Sequence, residues 1–212
     1  ITILTILLFS IANLSAQSEF EKALPDSIRY ALPAFQDGQI IYKAGNHAKG
    51  KFNICNVDQT VRFMDKNGKT MEAADQAYID KVCFGEDIYI KSPNGYILLC
   101  NNIGDTYLCL GKLIIIDDAQ EGAYGGKNYT NSINSMAGIY DSTRYMSLDA
   151  DIDYEYKAVP YLYDGNKFVS PTKSSLNKLL PDHKDKLKSY LAENKVQFDN
   201  FNSLWKLFEA IK

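Results

Sequence analysis

The sequence predicts a mainly β fold, an antiparallel β-sandwich or barrel-like sheet followed by a small α-helical C-terminal tail. Three observations predict it. Between Gln39 and Ile116, short β-type runs alternate with clusters of turn residues. Fifteen Tyr and ten Phe stand against a single Trp, and such aromatics suit pleated, half-buried surfaces where cross-strand pairs pack. After Pro171 the apolar period lengthens to that of a helix.

The elements follow in chain order. Ile1 to Phe9 is an uncharged apolar run that relaxes into the small residues of Ser10–Ala16, and the first charge is Glu19. Residues 1–16 are therefore expected to be the hydrophobic core and cleavage region of a signal peptide, entered after its usual basic start and cut after Ala16, so that the mature chain begins at Gln17. The run is too short to span a bilayer, and a buried N-terminal helix is the alternative. Residues 17–35 form a lead segment, 36–170 the β-rich domain and 171–212 a helical subdomain.

Within the β-rich domain, Gln39–Lys43 and Lys51–Cys55 are the first strands. In the second, Phe52 and Ile54 alternate with Lys51, Asn53 and Cys55, the pattern of a strand with one buried face. Thr60–Met64 leads into Asn67-Gly68, a hairpin signal in which both residues are expected at positive φ. Tyr78–Phe84 and Ile88–Ile90 follow. Tyr96–Cys100 comes after a turn at Ser92-Pro-Asn-Gly95, and Thr106–Leu110 and Leu113–Ile116 complete the series. Asp117 to Ser147, rich in Gly, Asn, Ser and Thr, is expected to be a long loop of functional or mobile character. Strand character returns at Met146–Tyr156 and Val159–Tyr163, then a turn at Asp164-Gly165 precedes Phe168-Val169. In the tail, Asp182 is expected to cap a helix ending near Glu193, with Leu187, Tyr190 and Leu191 inward. Ser203 is expected to cap a last helix carrying Leu204, Leu207, Phe208 and Ile211 on one stripe, with Trp205 beside it.

Composition excludes some functions. Net charge is −3, and the arginines are confined to Arg29, Arg62 and Arg144, so no concentrated basic face is available for nucleic acid. No long apolar stretch follows the signal, so no membrane span is expected in the mature chain. Export implies a periplasmic or extracellular location, where disulfides are permitted. Cys55, Cys83, Cys100 and Cys109 allow three pairings, and free, buried apolar thiols are the equal alternative, since Cys100 follows Ile97-Leu-Leu and Cys109 lies in Leu108-Cys-Leu110. No Cys-x-x-Cys or Cys/His spacing points to zinc.

Several segments together resemble a broad group of secreted Bacteroidetes proteins of unknown function. They are Leu32-Pro-Ala-Phe35-x-x-Gly38-x-Ile40-x-Tyr42-Lys43, Val61-x-Phe63 with Gly68, and Ile79-x-x-Val82-x-Phe84. Asp164-Gly165-x-Lys167-Phe168, Leu179-Leu-Pro-Asp182-x-Lys184 and Lys195-Val-x-Phe198 extend the likeness over most of the mature chain. The resemblance implies the exported compartment and the β-then-helical layout, and it transfers no catalytic residue.

The candidate sites are few. Asp149, Asp151, Asp153 and Glu155 fall on one side of a strand, where four carboxylates are a weak candidate for calcium. The spacing departs from the EF-hand loop at Tyr154 and Pro160, and a solvated strand face that discourages edge pairing explains it better. His47 and His183 stand in no nucleophile or zinc motif. Gly68-Lys69-Thr70 spells the end of a phosphate loop, but Phe63 stands where its first Gly belongs. Asp26-Ser27-Ile28 and Asp141-Ser142-Thr143 resemble Bacteroidetes O-glycosylation acceptors at Ser27 and Ser142. The long loop carries Tyr124, Tyr129, Tyr140 and Tyr145, the expected contact surface for a ligand or partner. The resulting expectation is an exported, non-catalytic module without a cofactor, binding a protein or glycan of the cell envelope. A glycan or small-ligand binder is the first rival, and a hydrolase with dispersed catalytic residues the second.

Overall fold

The computed structural model describes residues 19–93, 95–116, 120–121, 127–128 and 154–212. The expected mainly β fold with a helical tail is what they form. The strands are β1 (Gln36–Tyr42), β2 (His47–Ile54), β3 (Val61–Met64), β4 (Thr70–Glu72), β5 (Ile79–Phe84) and β6 (Asp87–Ser92), then β7 (Gly95–Ile103), β8 (Thr106–Ile116), β9 (Gln120–Glu121), β10 (Lys127–Asn128), β11 (Tyr154–Tyr163) and β12 (Phe168–Val169). Ten of them make one sheet in the order β12-β11-β8-β7-β6-β5-β1-β2-β3-β4, and β9 pairs with β10 apart from it. Every pairing is antiparallel. The chain meanders outward from β1 to β4, returns to place β5 on the other side of β1, and meanders again.

The sheet curls. Gln59, just ahead of β3, accepts a hydrogen bond from the Tyr96 amide of β7 (2.9 Å) and donates to the Lys112 carbonyl of β8 (3.4 Å). Strands far apart in the sheet order therefore share one core: Val61 of β3, Ile40 of β1, Val82 of β5 and Tyr89 of β6 pack together with Tyr96 of β7. Gly95 makes that approach feasible. It holds φ at +108°, and a Cβ there would lie 2.1 Å from the Gln59 side-chain oxygen.

Two further cores flank the first on the same sheet face. The tail helices α3 (Lys173–Leu179), α4 (Lys184–Glu193) and α5 (Phe201–Ile211) cover Ile103, Leu108 and Leu162. Leu204, Leu207, Phe208 and Ile211 of α5 are all at most 1% exposed, as the stripe predicts, and each contributes about 1.5–3 kcal/mol by burial. Trp205 remains 38% exposed against Phe201. At the opposite end, α1 (Glu19–Ala23) and α2 (Asp26–Arg29) bring Phe20 and Leu24 onto Cys55, Val57 and Ile114.

The structure corrects several local expectations. At the β3–β4 hairpin Gly68 holds φ +77°, but Asn67 is not at positive φ. The Gly68 amide bonds the Asp65 carbonyl (3.1 Å) while the Asp65 amide bonds the Lys69 carbonyl (2.9 Å), a longer turn in which only the glycine needs the left-handed region. The Asp65 carboxylate accepts the Asn67 and Lys69 amides, stabilising it. Asp182 caps nothing: Pro181–His183 is a 3-10 turn and His183 takes the N-cap position of α4 without a side-chain bond. The cap of α5 is Asn200, whose side chain accepts the Ser203 amide, while the Ser203 hydroxyl accepts the Gln197 amide. Thr106–Leu110 and Leu113–Ile116 are one continuous strand, since Gly111 continues the ladder opposite Ile97 and Val159. Within the stretch expected as a loop, Gln120–Glu121 pair with Lys127–Asn128.

The strand around Phe52 is buried on both sides rather than one. Asn53 and Cys55 are 1% and 0% exposed because the lead segment lies along them. Asn53 exchanges two hydrogen bonds with the Leu32 backbone (3.0 and 3.1 Å), and the Ala31 amide bonds the Ile54 carbonyl (2.9 Å). Asn56 donates to the Ile28 carbonyl (2.8 Å). Residues 19–35 thus behave as part of the β unit, completing its backbone pairing where β2 ends.

Candidate functional site

Most residues singled out from the sequence lie outside the described ones: Tyr124, Tyr129, Tyr140, Tyr145, Asp149, Asp151, Asp153 and Ser142. Glu155 is on β11, its side chain 60% exposed and paired with Lys157 at 2.7 Å. Ser27 is exposed on α2, beside the Asp26–Arg29 ion pair. His47 opens β2 on the surface, and His183 sits half-buried ahead of α4; the fold does not bring them together.

Two other groupings hold chemistry. The first is buried. Helix α1 directs Glu21, 0% exposed, toward the end of β2, where Cys55 donates to its carboxylate at 3.9 Å. Arg62 on β3 reaches Glu21 at 3.7 Å and makes a close ion pair with Asp58, whose other oxygen accepts from the Thr60 amide and hydroxyl. Ligand atoms of Glu21, Cys55 and Asp58 lie within 4.8 Å of one another, a donor set a metal ion accepts. The guanidinium already supplies the positive charge among them. Burial alone would lower the Arg62 pKa, but Asp58, Cys55 and Glu21 outweigh it and hold the group charged. Burial, with Asp58 and Glu21 beside it, pushes the Cys55 thiol well up, so the sulfur stays protonated and a poor nucleophile. Arg62 ties the lead segment to β2 and β3, and the cluster is a structural tie.

The second grouping lies on the sheet face opposite the tail helices. On β8 and β11, Leu108 and Leu162 pair and point into the helical core, so alternation sends Tyr107, Cys109, Tyr161 and Tyr163 the other way. Tyr163 opposes Tyr107 across one seam and Phe168 of β12 across the other. The Tyr163 and Phe168 rings stack at 4.6 Å, the Tyr107 and Tyr163 centroids are 6.4 Å apart, and Tyr161 meets Phe168 edge-on at 6.3 Å. The Tyr163 hydroxyl donates to the Gly165 carbonyl at 2.7 Å. All four rings are partly exposed. This strip presents flat apolar faces with polar rims and carries no nucleophile–base pair; its chemistry is that of contact. The alternation of Tyr161 and Tyr163 with Leu162 was a period-two signal open to sequence reading; their union with Phe168 and Tyr107 needed the register.

Comparison of the chain with protein families, curated proteins and solved structures finds no match. Among the described residues, no helix is long and apolar enough to cross a membrane.

Proposed function

We propose that the protein is an exported, non-catalytic module that acts by binding a protein of the cell envelope, with the aromatic strip of β8, β11 and β12 as a contact surface. The carrying observation is the adjacency of Tyr107, Tyr161, Tyr163 and Phe168, partly exposed on a rigid ten-stranded sheet. Rigid aromatic side chains lose little conformational entropy on binding and are enriched at energetically dominant interface positions. The apolar run at Ile1–Phe9 and the resemblance to secreted Bacteroidetes proteins support the compartment.

A second reading, glycan binding, is favoured by the stacked Tyr163–Phe168 pair, since sugar rings lay their C–H faces on exposed aromatics. One experiment separates the two. Immobilised protein is exposed to a solubilised envelope fraction and, separately, to soluble polysaccharides, beside the variant Tyr163→Ser/Phe168→Ser. A protein captured by the wild type and lost by at least about tenfold in the variant, with a thermal midpoint close to wild type, supports the first reading. Saturable tyrosine-fluorescence changes with polysaccharide alone select the second. Equal capture by both proteins removes the strip from the binding surface.

A further inference from the structure

We propose that the 3-10 turn Gln76–Tyr78, with the ammonium groups of Lys43 and Lys91, is a binding site for an oxyanion, a carboxylate or a phosphate group. Two lysines from separate strands converge on this turn. Lys43, just after β1, donates to the Ala77 carbonyl at 3.0 Å, and Lys91 of β6 donates to the Gln76 carbonyl at 2.7 Å. Consecutive carbonyls of one turn thus draw two like charges to one place. Neither lysine enters an ion pair among the described residues. An ammonium carries three donors, and each of these spends one on the turn, so both retain donors for a shared anion.

The turn is fixed by bonds of its own. The Gln76 side chain accepts from the Val61 amide (3.0 Å) and donates to the Val61 and Ala73 carbonyls (2.8 and 3.0 Å). The Lys43 amide bonds the Tyr78 carbonyl (2.9 Å), and Lys91 stands opposite Tyr96 in the β6–β7 ladder. Donors held this way lose little freedom when a ligand arrives. Tyr78 leaves its ring 65% exposed on the same turn, a flat face available to the carbon skeleton of a sugar acid.

A second observation points the same way. The Lys91 ammonium lies over the Tyr96 ring, 5.3 Å from its centroid, and the hydroxyl of Tyr96, a residue 4% exposed, finds no partner among the described residues. A buried hydroxyl without an acceptor is costly, and an oxygen from outside the chain removes that cost. Burial, and then the charge of Lys43, hold the Lys91 pKa below the ordinary lysine value, with Glu72 opposing them. An anion shared by the two lysines stabilises the charged form against both causes.

This site shares no residue with the aromatic strip, so each stands or falls by its own experiment. Isotopically labelled full-length protein is titrated at constant ionic strength with sodium phosphate, with sodium galacturonate and with sodium chloride, and followed in two-dimensional amide spectra. The expected result is saturable shifts at the amides of Lys43, Gln76, Ala77, Tyr78 and Lys91 with phosphate or galacturonate, and none with chloride. The oxyanion that saturates at the lower concentration names the source, phosphate or carboxylate. Lys43→Gln and Lys91→Gln should each weaken binding by about tenfold, in proteins whose remaining spectrum is unchanged. Lys43 is exposed, so its variant carries the test where Lys91→Gln costs folding. Absence of saturable shifts with both oxyanions, shifts of equal size with chloride, or wild-type affinity in Lys43→Gln leaves the two lysines as caps of the turn and overturns the proposal.

Discussion

Gly95 and Arg62 sit in environments that leave little room for substitution. At Gly95 a side chain meets both a left-handed backbone at φ +108° and the Gln59 side chain. Gly95→Ala is expected to lower stability by about 1–3 kcal/mol in urea unfolding, the range for a forced backbone conformation, with more if Gln59 loses its bond to the Tyr96 amide. A cost under about half a kcal/mol would mean that the curl does not depend on this approach. Arg62 is 4% exposed between two carboxylates. Removing one partner of a buried ion pair strands the others, so Arg62→Met should cost about 3–5 kcal/mol. Combining it with Glu21→Gln and Asp58→Asn should recover part of that loss. Cys55 and Cys109, both 0% exposed, are expected to react with an alkylating agent only as fast as the protein unfolds, while Cys83 and Cys100 react from the folded state. Quantitative mass spectrometry of each cysteine peptide over time checks the order.

At the scale of elements, sequence periodicity read the strands and the last helix correctly because burial on one face imposes it. It misplaced their ends. Asn200 and Ser203 are both competent cap residues, and only the path of the chain from Gln197 decides that Asn200 takes the helix amide while Ser203 turns back to the loop. Asn200→Ala is therefore expected to cost about 1 kcal/mol, and Ser203→Ala less; reversed values in thermal melts would restore Ser203 as the cap. Asn53 and Asn56 carried no signal at all. A buried asparagine is tolerated when its amide is paired, and the partners are the Leu32 and Ile28 backbones, distant in sequence. The lead segment supplies the missing backbone partners at the end of β2.

For the whole molecule, the three cores lie against one sheet, and β8 contributes to two of them through Leu108 and Ile114. The tail is tied in by polar contacts as well: Asn101 bonds Glu209 at 2.6 Å, and Thr106 bonds the Leu179 carbonyl at 3.0 Å. Unfolding is expected as a single transition, with Trp205 fluorescence on α5 and far-ultraviolet dichroism of the sheet changing at the same urea concentration. An earlier fluorescence transition would make residues 171–212 an independently melting unit.

By itself the sequence determined the fold class, the strand-rich middle, the helical tail and the apolar stripe of α5, since each is a local pattern that burial enforces through periodicity. Of the contact strip the local alternation carried only that Tyr161 and Tyr163 share a face. Strand order, the curl that brings Gln59 to Tyr96, and the meeting of Glu21, Cys55, Asp58 and Arg62 were decided by tertiary structure alone. So was the bulge at Cys100 in β7. The physical reason is the range of the interactions. Alternation and helical spacing are written between neighbours in the chain, whereas register and buried polar pairing depend on how distant segments satisfy one another's backbone and charges once water is excluded.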